Sequence, residues 1–181
     1  MRLAAIFEKL NKPNDGTRSL FESIAVPEVA QALRTWITGG GHGVLIGGCA
    51  ASYYATPRAS MDVDVLFLHS GEIPDQVSGF KRTRSGAFQH NATHVEVEII
   101  TPQMINLSTD LAQKVIDTSI ESDGIRVASP TGIVALKLNR LKRHDIGDIV
   151  DMINTGKVDL TGWPVSVQNS KDFEEISTRF V

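Results

Sequence analysis

The stretch Gly43–Leu68, GVLIGGCAASYYATPRASMDVDVLFL, decides how the rest of the chain is read. An apolar run from Val44 to Ile46 ends at the pair Gly47-Gly48, a small-residue segment follows, and Asp62 and Asp64 then flank a valine inside a second apolar run. Alternate residues of a strand point to the same face, so the two carboxylates are expected side by side. Like charges in an apolar strand cost free energy unless something positive sits between them, and a divalent cation is the simplest such object.

Gly47-Gly48 follows a strand and precedes CAASYYA, which has the small side chains of a short helix. That order predicts backbone N–H groups at a strand-to-helix turn, where no β-carbon keeps a phosphate away. The earlier glycine run, Thr38 to Gly43, lacks the Gly-Lys-Ser/Thr ending of a P-loop and precedes a strand instead of following one, so it reads as a connector.

Downstream, THVEVEIITP (Thr93–Pro102) alternates cleanly, with Val95, Val97 and Ile99 on one face and Glu96, Glu98 and Ile100 on the other. One of Glu96 or Glu98 is expected to join Asp62 and Asp64 as a third carboxylate. Strands are predicted around Phe80 to Arg84, Ala87 to His90 and Gly124 to Ala128. Helices are predicted over VPEVAQALRTWI with Pro27 in its first turn, within Met104 to Ile120, from about Thr131 to Leu141 behind Ser129-Pro130, from Asp145 until Gly156, and near Lys171 to Arg179. Lys137 and Arg140 share a side of one such helix, and Asp145 and Asp148 share a face of the next. The fold class expected is α+β: a twisted mixed sheet flanked by helices, in one domain over 1–181 with its core at about 26–128 and a helical C-terminal part from about 129.

Composition narrows the function classes. The 181 residues are 41% hydrophobic and 22% charged, near globular averages, and no apolar run approaches the ~18 residues of a spanning helix. Glu8 and Lys9 interrupt the apolar patch at the N-terminus, so a cytoplasmic protein is expected. The single cysteine, Cys49, gives no disulfide framework or cysteine-based zinc site. A net charge of −3 argues against a nucleic-acid coat or a membrane-surface anchor, while Lys81, Arg82 and Arg84, and Lys137 to His144, supply local basic clusters.

The ordered set Gly-Gly, about ten residues, Arg-x-Ser-x-Asp-Val-Asp, then a strand acid before Thr-Pro resembles the nucleotidyltransferase superfamily of DNA polymerase beta type. Within it the chain looks most like the AbiEii-type toxins of type IV toxin-antitoxin systems. The likeness extends through the Ala-Leu-Lys-Leu and Arg-His-Asp-Ile-Gly-Asp-Ile segments and spans roughly residues 40 to 155. It implies transfer of NMP from an NTP to a hydroxyl of RNA, such as tRNA, or of protein, with Mg²⁺ or Mn²⁺ as cofactor, an antitoxin as partner, and neither DNA nor a membrane involved. A nucleotide-binding regulatory module acting through a partner protein is the alternative.

Carried over by position, Gly47 and Gly48 match the phosphate-binding pair, and Asp62 and Asp64 the metal ligands. Arg58 and Ser60 match the Arg and Thr positions before them on the nucleotide side. Glu98 stands where the family more often has its third aspartate, the remaining metal and catalytic acid, while Glu96 shares its face. Lys137 matches a lysine expected near the nucleotide phosphates, and Asp148 an acid that helps to hold it.

Overall fold

Short strands alternate with helices along the chain, and the strands assemble out of sequence order. The computed structural model describes residues 18–57, 59–142 and 145–180. Arg58, Arg143 and His144 lie outside that set, as do residues 1–17. The elements in order are α1 (Leu20–Ser23), α2 (Pro27–Thr38), β1 (Val44–Ile46), α3 (Gly47–Tyr54), β2 (Val63–Leu66), β3 (Phe80–Arg82), β4 (Phe88–His90) and β5 (Glu96–Ile100). They continue with α4 (Thr109–Asp117), β6 (Ile120–Ser122), β7 (Ile125–Val127), α5 (Pro130–Arg140), α6 (Asp145–Asn154), α7 (Val165–Gln168) and α8 (Lys171–Phe180).

Seven strands among the described residues form one mixed sheet in the order β3-β4-β5-β2-β1-β7-β6. β1 pairs antiparallel with β2 and parallel with β7, and β2 pairs parallel with β5. The α+β class with helices at the C-terminal end is therefore what the chain adopts.

The period-2 pattern of the strands sorts the sheet into two faces. Leu45, Val63, Val65 and Val97 are fully buried on one of them. There Trp36 of α2 packs edge-on against Phe80 and Phe88, with ring centroids 5.6 and 5.3 Å away. Burying side chains of this size contributes ~1.5–3 kcal/mol each, so this face carries much of the fold's stability. The sequence of α2 suits that packing, with Pro27 in its first turn and Val29, Ala32, Leu33 and Trp36 recurring on its buried stripe.

The opposite face carries Ile46, Asp64 and Glu98. α5 packs over its end, capped by Ser129, whose hydroxyl accepts from the Gly132 N–H at 3.1 Å. Among the described residues no helix is long and apolar enough to cross a membrane.

Three local expectations need correction. β2 begins at Val63, so Asp62 lies on the approach to the strand and not within it. β3 ends at Arg82, short of Arg84, because the chain turns there through Thr83, whose N–H donates to the Ala87 carbonyl. Ile120, expected in a helix, opens β6, which folds back on β7 through Asp123 and Gly124. Both turn residues are left-handed, with φ of 51° and 86°, as a tight two-residue hairpin requires.

Candidate active site

Three strands bring the site together. Ile46 of β1 is in register with Asp64 of β2, and Asp64 with Glu98 of β5. Residues paired in this way point to the same face, so Asp64 and Glu98 stand as neighbours across two strands that lie 34 residues apart in sequence. Glu98 is exposed while Asp64 is half-buried.

The two glutamates of β5 have different neighbours. Glu96 turns toward β4, where its carboxylate accepts from the Gln89 amide at 3.4 Å. Glu98 is the acid whose charge bears on Asp64.

Gly47 forms the floor beside Asp64. Its φ of +66° is left-handed, and a β-carbon placed on it would lie 1.9 Å from Asp64 Oδ2. Only glycine lets the carboxylate and the first turn of α3 come so close. Asp62 is held from the backbone: its carbonyl accepts from Cys49 Sγ and from Ser60 Oγ, both at 3.3 Å. Ser60 is thus a support for the acidic loop, and Cys49 is a buried packing residue of α3. Gly48 accepts from Ser52 Oγ at 3.0 Å inside α3.

Burial, then the negative charges of Glu98 and Asp62, push the Asp64 carboxyl up to about 6, partly offset by Arg140 and Lys137. Burial and two neighbouring acids are thus what disfavour its charged form.

Lys137 is the buried cation of the region. Its ammonium pairs with Asp145 at 2.8 Å and also with Asp148. Burial opposes ionisation of Asp145, yet hydrogen bonds from Lys137 and the Lys142 N–H, with the charges of Lys137 and Arg140, hold its carboxyl below the usual carboxylate range. The expected Asp148–Lys137 pairing is present. Asp145 and Arg140 are the participants that sequence reasoning did not single out, although the shared faces of Asp145 and Asp148, and of Lys137 and Arg140, were legible.

Ile46, Gly47, Asp64, Ile100, Lys137 and Arg140 line a cavity of about 60 Å³, and Ile100 also borders a cleft of about 310 Å³ that runs past Glu98, Glu96, Arg82 and Met104. A wider cleft, about 490 Å³, opens at the other end of the same strands near Val44, Leu66 and Arg126. Its arginine is engaged with the Ile116 carbonyl.

Among the described residues no three His, Cys, Asp or Glu side chains are gathered into a ready-made metal cage. Magnesium does not require one, being held by one or two carboxylates together with substrate phosphates. Asp64 and Glu98, side by side in register, with Asp62 on the approach to the same strand, offer hard oxygen donors of that kind, so these residues fit such an ion.

No family model, curated protein or solved structure matches the chain.

Proposed function

We propose that the chain is a metal-dependent nucleotidyltransferase, moving a nucleoside monophosphate from an NTP to a hydroxyl acceptor. The observation that carries this reading is the row across β1, β2 and β5: Gly47 packed against Asp64, and Asp64 in register with Glu98. A half-buried acid, an exposed acid beside it and a glycine turn in front suit in-line displacement at phosphorus. The resemblance of the sequence segments supports the same reading.

In this scheme the acceptor oxygen attacks the α-phosphorus as the bond to the bridging oxygen breaks and pyrophosphate leaves. Mg²⁺ or Mn²⁺, when bound, supplies charge neutralisation of the phosphates and of the departing pyrophosphate. Asp62 and Asp64 hold the ion, and Glu98 takes the acceptor proton or orients the acceptor. Gly47 and Gly48 admit the phosphates close to the backbone at the start of α3. The cleft past Glu98 is the side from which the acceptor hydroxyl approaches. RNA such as tRNA, or a protein, is the acceptor; the setting is cytoplasmic, and an antitoxin controls the activity.

The test is incubation of the protein with labelled NTPs, Mg²⁺ or Mn²⁺, and total cellular RNA or protein. Label should enter one acceptor fraction with wild type and not with the Asp62→Ala/Asp64→Ala double variant. Label transfer by the double variant at the wild-type rate ends the proposal. NTP binding without any transfer by wild type replaces it with the regulatory-module reading.

A further inference from the structure

Two cations face the cavity that holds Asp64, and they differ in how free they are to meet a ligand. The Lys137 side chain is 6% exposed and bridges Asp145 and Asp148, which are 0% and 1% exposed. Both contacts hold the ammonium inside the protein. Swinging Lys137 outward would give up two buried ion pairs at once, and a buried ion pair resists the loss of one partner. Arg140 lies one turn further along α5 on the same side, is 45% exposed, and meets Asp145 only at 3.4 Å, near the limit of a hydrogen bond. The guanidinium is the solvent side of that long contact, and Asp145 keeps Lys137 and the Lys142 N–H when it leaves.

We propose that Arg140, and not Lys137, makes the direct contact with the nucleotide triphosphate, while Lys137 is a positioning residue that fixes α5 against α6. The assignment rests on the nucleotidyltransferase reading of the site. Arg140 lines the same cavity as Gly47 and Asp64, so its guanidinium stands at the phosphate end of the row. Its influence on the Asp64 carboxyl, larger than that of Lys137, agrees with this placement. A guanidinium offers a planar fork that matches two phosphate oxygens, and releasing Asp145 leaves that acid still held by Lys137 and the Lys142 N–H.

The test measures binding of inorganic tripolyphosphate and of each NTP, with Mg²⁺, to the full chain by calorimetry, alongside label transfer. Arg140→Ala should weaken both ligands on the order of 10- to 100-fold. Its melting temperature should match wild type, and the thermal shift given by Mn²⁺ alone should persist. Arg140→Lys should fall between the two, keeping the charge but not the fork. Wild-type affinity for tripolyphosphate in Arg140→Ala overturns the assignment, as does a lowered melting temperature with loss of the Mn²⁺ shift, which marks a structural role. If Arg140→Ala transfers label like wild type, the assignment falls and the enzyme reading stands. If wild type neither binds nor transfers, the enzyme reading itself has failed.

Discussion

Asp64 packs so tightly on Gly47 that a β-carbon added to the glycine would meet Oδ2 at 1.9 Å. Gly47→Ala must therefore displace the carboxylate or the start of α3, and it also places a side chain at a left-handed φ of +66°. The backbone term alone is worth roughly 1–2 kcal/mol. The expected outcome is a modest fall in melting temperature with a much larger loss of label transfer, since the displaced group is the buried acid of the site. Transfer that falls only in proportion to stability would remove Gly47 from the chemistry.

Asp64 also predicts how the metal-free protein responds to pH. Its folded pKa of about 6 lies above the ordinary aspartate value of 3.8. The folded state thus binds the proton more tightly than the unfolded state, and that contribution is complete below the unfolded value and lost as pH rises through about 6. At ~1.4 kcal/mol per pH unit the loss amounts to at most about 3 kcal/mol. Urea denaturation in a chelator should show Asp64→Asn more stable than wild type at pH 7.5 and level with it near pH 4. Mn²⁺ should restore wild type at pH 7.5 and leave the variant unchanged. A variant no more stable than wild type at pH 7.5 would show that burial beside Glu98 and Asp62 does not penalise the charged carboxylate.

Lys137 ties α5 to α6 through two carboxylates that are almost fully buried. Lys137→Met removes the cation that both acids share in a nearly dry interior, and breaking buried pairs of this kind costs about 3–5 kcal/mol. Denaturant unfolding should detect a drop of that size. Replacing Lys137, Asp145 and Asp148 together by apolar residues should recover much of it, because no buried charge is then left unpaired. A single variant of unchanged stability would contradict the buried pairing.

How much of this was legible follows from which interactions are local. The Gly-Gly turn, the Asp-Val-Asp spacing and the alternation of VEVEII are written in neighbouring residues, and the last names its face by period alone. The choice between Glu96 and Glu98 is not local: it depends on β5 lying parallel to β2 and antiparallel to β4, which gives the two glutamates different neighbours. The role of Arg140 likewise needs α6 folded back on α5, bringing Asp145 between two cations. The β6–β7 hairpin is a different case, since Asp123-Gly124 is a strong turn signal that the apolar stripe of the preceding helix obscured.

The two glutamates of β5 give the sharpest functional comparison, because they share a strand, a face and a charge and differ in position by one pleat. Glu98→Gln keeps size and hydrogen-bonding groups but cannot accept a proton or carry charge beside Asp64. It should lower label transfer by on the order of 10²-fold or more, the scale of a lost general base. Removing the neighbouring negative charge should also lower the Asp64 pKa, so the pH dependence of metal-free stability should weaken in the same variant. Glu96→Gln leaves the Gln89 contact with an acceptor of the same shape and should transfer label at nearly the wild-type rate. Measuring both variants at saturating NTP separates the chemical step from binding. Equal losses in the two would mean that the face as a whole, and not Glu98, serves the reaction.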